Sequence, residues 1–230
     1  MKVFIKPYFY IMNNHLSLVY LIALIAFGFT ACRGPEVKEN KSITVPATAI
    51  LNPVASEKYV VDTKESVVVW HGSNAITSKG SHTGYASISK GELLIDKTGK
   101  LVGGAVDVDM NSLSDEKHGS DNNLIQHLKS SDFFETEKFP TSTFAIVMTT
   151  APRGDTVNVT GILNMKGIAQ TITFPATIKV MDGTVQASGK LTIDRTKWGV
   201  RYKSKSFVFD MADDLLSDDI SFDVKIVGKK

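Results

Sequence analysis

Residues 172–193 read Ile172-Thr173-Phe174-Pro175-Ala176-Thr177-Ile178-Lys179-Val180-Met181-Asp182-Gly183-Thr184-Val185-Gln186-Ala187-Ser188-Gly189-Lys190-Leu191-Thr192-Ile193. From 172 to 180 the even positions are apolar. From 185 to 193 the odd positions carry the apolar or small side chains. A period of two belongs to a strand with one buried face. Asp182-Gly183 separates the runs and is a favoured dipeptide of the two-residue type I′ hairpin turn. That turn sets Val180 opposite Val185, Ile178 opposite Ala187, Ala176 opposite Gly189, Phe174 opposite Leu191 and Ile172 opposite Ile193. A slip by one residue would turn the apolar set outward, so the register is well specified.

The same alternation recurs on both sides of this hairpin. Ile220, Phe222, Val224 and Ile226 form one set, Val157, Val159, Gly161 and Leu163 another, and Val102, Gly104, Val106 and Val108 a third. Shorter candidates lie at 66–71, 80–89, 91–96, 143–149 and 204–210. One helix is predicted near 120–130, capped by Ser120 or Asp121, with Leu124, Ile125 and Leu128 on its apolar side. About eight to ten strands with one apolar face predict an all-β fold, a closed antiparallel barrel or a sandwich.

The inward phase contains Gly84, Ala86, Gly104, Gly161, Ala176, Ala187 and Gly189. A solid core places Val, Ile or Leu at such positions. An eight-stranded barrel has room for packed side chains or for one small ligand, and small residues shift the balance toward a cavity. Relief of strand curvature is the competing role for any single glycine. A cavity lined by Ile, Leu, Val and Phe would hold water poorly and suit an apolar ligand.

The chain has 230 residues, 26 Lys+Arg and 24 Asp+Glu, for a net charge of +2. From 59 to 230 there are 20 basic and 21 acidic residues. No clustered positive field is available to neutralise phosphates, which argues against nucleic acid as a partner. The single cysteine, Cys32, excludes an internal disulfide framework and a cysteine-based zinc site.

Residues 1–31 read as an export signal. Lys2 and Lys6 precede an apolar run from Leu16 to Phe29, broken only by Ser17 and Gly28. Its length fits a signal-peptide core and falls short of the roughly 20 residues that span a bilayer. Phe29-Thr30-Ala31-Cys32 resembles the bacterial lipobox, in which the cysteine is lipidated and becomes the mature N-terminus. An ordinary signal with an incidental cysteine is the alternative. Residues 32–58, with Pro35, Pro46 and Pro53, read as a flexible tether, and 59–230 as the folded domain.

The run Ser130-Ser131-Asp132-Phe133-Phe134-Glu135-Thr136-Glu137-Lys138-Phe139-Pro140, with Thr143-Phe144 after it, resembles the signature of the YceI-like polyisoprenoid-binding family. Val159-Thr160-Gly161-Ile162-Leu163 with Lys166-Gly167, Asp194-Arg195-Thr196-Lys197-Trp198-Gly199-Val200, Val61-Asp62 to Trp70, and His82-Thr83-Gly84 are also similar. The resemblance implies a lipocalin-like barrel of about eight strands that holds an isoprenoid lipid, such as a polyprenyl quinone, at the bacterial cell envelope. It implies no established catalysis and no cofactor beyond the bound lipid. A homodimer is among the states it leaves open. The strand phases make Phe144, Val159, Leu163, Phe174, Ile178, Leu191, Ile193, Phe207 and Phe209 the expected lining. Leu124, Leu128, Phe133 and Phe134 are the expected lid at one end, and core filling is the competing role of each aromatic. The head group is expected near the mouth. With Cys32 as lipid anchor, the protein would be a periplasm-facing or surface lipoprotein tethered to a membrane.

Other chemistry is sparse. His71, His82, His118 and His127 lack helical zinc-site spacing, although His71 and His82 are placed to meet across adjacent strands. An enzyme acting on a lipid through those two histidines is one rival reading, and a packed interaction module without ligand is the other. Asp213, Asp214, Asp218 and Asp219 suggest a solvated acidic loop rather than an EF-hand. Arg153-Gly154-Asp155 suggests a turn. Arg195 and Trp198 would either hold a head group or pack the barrel end.

Overall fold

The computed structural model describes residues 55–75, 80–151, 153–207 and 215–230. The signal at 1–31, Cys32, the tether up to residue 54, Phe209, Asp213 and Asp214 lie outside the described residues.

The elements in chain order are β1 (Ser56–Val61), β2 (Val67–Gly72), β3 (His82–Asp96), β4 (Leu101–Asp115), α1 (Asn123–Lys129), β5 (Thr141–Thr149), β6 (Thr156–Met165), β7 (Ile168–Met181), β8 (Thr184–Asp194), a short 3-10 turn (Arg195–Trp198) and β9 (Asp219–Lys229). The sheet runs β3-β2-β9-β8-β7-β6-β5-β4, and β4 pairs back onto β3. Every strand pair is antiparallel. The barrel therefore has eight strand positions, as expected from the alternation, and closure leaves no sheet edge open.

The ninth strand shares a position. β1 pairs with the far end of β3 (Tyr59 with Leu93) and with β9 (Val60 with Lys229), while β2 pairs with the near end of β3 and with β9 from Ser221 to Lys225. Asp62–Ser66 joins them. Across this break the Asp62 backbone N–H donates to the Val227 carbonyl at 2.7 Å, and Ser66 Oγ accepts from the Val227 N–H at 2.9 Å. A side chain thus replaces a missing ladder partner. β1 begins at Ser56, three residues before the boundary drawn at 59, because Glu57 and Lys58 pair with Ile95 and Leu94.

The β7–β8 hairpin has the expected turn and register. Asp182 (φ 45°) and Gly183 (φ 75°) are both left-handed, and Val180–Val185, Ile178–Ala187 and Ala176–Gly189 are partners. The ladder then stops. Phe174 does not pair with Leu191, nor Ile172 with Ile193, contrary to the extrapolated register. Pro175, which has no N–H for a ladder, stands where pairing ends. β7 continues along β6 to Ile168, and β8 along β9 to Asp194.

Three further expectations are corrected. The candidates at 80–89 and 91–96 are one strand whose pairing with β4 shifts register between Tyr85 and Ser87, Ile88 and Lys90, and Leu94 and Ile95. These irregularities break the period-two phase and bend the strand. They also reverse the start of β4, where Leu101 rather than Val102 is fully buried. The helix cap is Asn122, in an extended conformation, whose side chain accepts from the Ile125 N–H at 3.0 Å. The described part of 204–210 is a turn rather than a strand: Phe207 N–H donates to the Ser204 carbonyl at 3.0 Å.

Two apolar clusters fill the barrel. Tyr59, Ile88, Leu93, Ile95, Leu101, Val106, Val157 and Val185 belong to the first. Trp70, Met110, Leu113, Ile125, Phe133, Phe134, Met165, Trp198 and Val200 belong to the second, which includes the helix and the 3-10 turn.

Candidate functional site: an apolar hollow in the barrel

A cavity of about 260 Å³ lies inside the barrel and touches members of both clusters. Among the expected residues, Leu124, Leu128, Phe133, Phe134, Phe144, Val159, Leu163, Phe174, Ile178 and Leu191 line it. Ile193 does not: it is buried within the second cluster. Phe207 does not either. It is 47% exposed, with the Arg201 guanidinium 4.5 Å above its ring, because the segment leaves the sheet as a turn. Trp70, Met110, Leu113, Met165, Ile220 and Phe222 also line the hollow. The alternation at 220–226 placed Ile220 and Phe222 on the apolar face, a signal sufficient to include them. The largely apolar lining makes the hollow a poor host for water; dry cavities of roughly 150 Å³ with apolar walls admit benzene.

Small wall residues open the hollow in two ways: Ala86, Ala176, Ala187 and Gly189 line it directly, and some glycines make room for aromatic rings at the wall. Gly84, Gly104 and Gly161 do not line the cavity. A Cβ on Gly84 would collide with the Trp70 indole, and one on Gly161 with the Phe144 ring. A Cβ on Gly189 would lie 2.9 Å from Phe174 Cε2. The rings fold against the wall at these glycines instead of projecting across the barrel. Gly104 serves curvature instead: its φ is 141°, and a Cβ there would overlap the Glu92 carbonyl. Phe144 and Phe174 also pack on each other, with centroids 5.5 Å apart.

Near one end, α1 and the segment after it carry Leu124, Leu128, Phe133 and Phe134 against the hollow. Lys166 Nζ donates to the carbonyls of Phe133 at 2.6 Å and Ser131 at 3.0 Å, tying this segment to the β6–β7 turn. Arg195, 1% exposed, holds the same end together. Its Nε donates to the Ser217 carbonyl at 2.8 Å and its Nη1 to the Val200 carbonyl at 3.0 Å. Its Nη2 faces Asp218 Oδ1 at 3.5 Å. Burial lowers the Arg195 pKa, and the Asp218 and Asp194 charges oppose that. Burial also pushes the Asp218 carboxyl up, but hydrogen bonds from Ser204 and Ser206 and the Arg195 charge hold it below its usual value. Trp198 Nε1 donates to the Leu163 carbonyl at 3.1 Å. Both residues pack the barrel end; the Trp198 N–H and the Arg195 Nε and Nη1 groups serve backbone carbonyls, and Arg195 Nη2 faces Asp218.

His82 and Arg195 are the only titratable residues among the described lining. His82 Nδ1 lies 3.2 Å from Asp115 Oδ2, and His118 Nδ1 lies 2.7 Å from Oδ1 of the same carboxylate. Burial raises the Asp115 pKa. Hydrogen bonds from the His118 side chain and backbone, His82 and the Lys117 backbone outweigh it and hold the carboxyl low. His71 does not meet His82. It pairs with Thr83 in the sheet, whereas His82 pairs with Gly72, so the two face opposite sides. His71 instead bridges Thr83 Oγ1 (3.0 Å) and Asp223 Oδ2 (3.1 Å) outside the hollow. Among the described residues no group of His, Cys, Asp and Glu is arranged to hold a metal ion.

Residues 59–228 match the model of the YceI-like domain family. A UPF0312 protein of Shewanella denitrificans is 27% identical over 148 residues, which is 61% of this chain and 73% of that protein. BcnA of Burkholderia cenocepacia superposes with a TM-score of 0.56 at 20% identity, over 73% of this chain and 98% of its own. A polyisoprenoid binding domain from Saccharophagus degradans, implicated in plant cell wall breakdown, superposes with a TM-score of 0.54 at 13% identity, over 74% of this chain and 97% of its own. At these identities both structures speak to the fold.

Proposed function

Because the chain belongs to the YceI-like domain family, we propose that its barrel binds an isoprenoid-type lipid, such as a polyprenyl quinone, for carriage, storage or sequestration at the cell envelope. The observation that carries this reading is the hollow itself, lined mainly by aliphatic and aromatic side chains from the strands and the helix. The likeness in fold to a polyisoprenoid binding domain supports the same ligand class. Each five-carbon unit brought out of water contributes about 3–4 kcal/mol at roughly 0.8 kcal/mol per carbon. Ordering the chain offsets part of that gain. In this reading the protein holds its ligand without altering it, the sequence at Cys32 supplies a lipid anchor, and the domain faces the periplasm or the cell surface.

Native mass spectrometry of the purified full chain, followed by organic extraction, tests the proposal. Recovery of a prenyl lipid, or uptake of an added prenyl quinone at one per chain, is the expected result. A protein that stays empty after incubation with prenyl quinones overturns it and favours a module without ligand. Cys32→Ser is expected to release the protein from membranes; retention would remove the anchor from the proposal.

A further inference from the structure

His82 stands on the inner face of the barrel with one ring nitrogen uncommitted. Its Nδ1 lies 3.2 Å from Asp115 Oδ2, and its Nε2 has no hydrogen-bond partner among the described residues. The β2–β3 ladder is regular here: Gly72 pairs with His82, Trp70 with Gly84 and Val68 with Ala86. Directly paired residues share a face of the sheet. Val68, Trp70, Gly72, Ala86 and His82 all line the hollow, so the imidazole belongs to its wall. It sits at the end where β3 begins and β4 gives way to α1. The His82 side chain is 41% exposed, so the ring can be reached by a ligand. A Cβ on Gly72, its ladder partner, would meet no atom of a described residue within 4 Å. The space beside the ring is open.

We propose that His82 Nε2 is the head-group contact of the hollow, and that it selects a lipid whose head carries a hydroxyl. This rests on the reading that the hollow takes a prenyl lipid. It narrows that class to a prenyl alcohol or to the reduced, dihydroxy form of a prenyl quinone, and it sets the head at the α1 end of the barrel. Asp115 decides what Nε2 offers. Its buried carboxyl accepts from the backbone N–H groups of Lys117 at 3.0 Å and His118 at 2.9 Å, and it stands below its ordinary value. An ionised carboxylate only accepts, so it fixes the proton of a neutral His82 on Nδ1. Nε2 is then an acceptor, and its complement is an O–H donor. A carbonyl or an ether oxygen has no proton to give. Arg195, the other titratable residue of the lining, is 1% exposed and already engaged by two carbonyls and by Asp218, so it offers no competing contact. Along β3 the lining continues from His82 through Ala86 to Leu93, which leaves a mainly apolar wall for the tail.

The test compares three probes with the same tetraprenyl tail on the purified full chain: the primary alcohol, its methyl ether and the bare hydrocarbon. The ether keeps the oxygen and removes the donor. Calorimetry is run at about pH 8.5, where an ordinary imidazole is neutral, on the unaltered protein and on His82→Asn. The Asn side chain keeps an N–H for Asp115 and places nothing at Nε2. The alcohol is expected to bind the unaltered protein about fivefold more tightly than the ether, as one hydrogen bond allows. In His82→Asn that ratio is expected to fall to about one. A ratio of one in the unaltered protein, or a ratio that His82→Asn leaves intact, overturns the head-group contact and leaves the lipid reading standing. Failure of all three probes to bind overturns the lipid reading and the contact with it. Should His82→Asn not fold, the nitrogen-15 resonance of His82 Nε2 in the unaltered protein decides. A shift with the alcohol and not with the ether supports the contact, and an identical response to both overturns it.

Discussion

Phe144 on β5 packs against Gly161 on β6, with its Cε2 only 2.5 Å from where a Cβ on that glycine would stand. Trp70 over Gly84 and Phe174 over Gly189 repeat the relationship elsewhere on the wall. A ring that cannot fold onto the wall must project across the barrel, so these glycines govern how much of the interior stays open.

Gly161→Val is expected to drive the Phe144 ring from the wall. Overpacking of this kind costs roughly 1–3 kcal/mol. Urea titration should show that loss, and uptake of a prenyl quinone should fall. The double variant Gly161→Val with Phe144→Ala should recover only part of the stability, since the ring is one obstacle and the Ala145 carbonyl, 2.6 Å from the same Cβ position, is the other. If the single variant is as stable as the parent and binds normally, the wall-folded ring does not control the hollow.

Arg195→Met removes a buried cation that serves two backbone carbonyls and faces Asp218. Breaking one side of a buried, hydrogen-bonded charge pair costs about 3–5 kcal/mol. A fall in the urea midpoint that corresponds to this loss at an unchanged slope is the expected outcome. Arg195→Lys should restore little, because one ammonium cannot reproduce the planar fork.

Ser66→Ala should loosen the break between β1 and β2. The Val227 N–H would lose its acceptor at a buried site. A cost of about 1–3 kcal/mol follows from leaving a buried donor unsatisfied. Hydrogen exchange at the Val227 amide is the direct readout, and an unchanged exchange rate would show that Asp62 alone holds the junction.

Acid should weaken the fold through Asp115. Its carboxyl sits below the ordinary carboxylate value in the folded state. A depressed folded pKa stabilises above the unfolded value of 3.8 and loses that contribution as pH falls through the folded one. Thermal melts from pH 6 to pH 2 should therefore fall less steeply in Asp115→Asn than in the parent, from a lower starting stability. Parallel curves would show that Asp115 does not contribute to the acid limb.

Much of this was legible in the chain because it is local. The alternation of 172–180 and 185–193 and the Asp182-Gly183 turn set a hairpin whose partners follow by counting, since strand phase and turn type depend on neighbouring residues alone. The same phase put Phe144, Val159, Leu163, Phe174, Ile178 and Leu191 on the wall of the hollow. The break in the β7–β8 ladder at Pro175 and the shifts between β3 and β4 were not legible, because each depends on which neighbour a strand follows.

The sequence by itself determined a set of antiparallel strands with one apolar face, in a barrel or a sandwich, because a period of two needs only the pleat and the hydrophobic effect; that β4 closes back onto β3 was decided by the tertiary structure. Only the tertiary structure decided that Gly84, Gly161 and Gly189 hold aromatic rings against the wall and that Ile193 and Phe207 miss the hollow. Those outcomes depend on side-chain directions across strands distant in the chain, which no reading of neighbours along one strand contains.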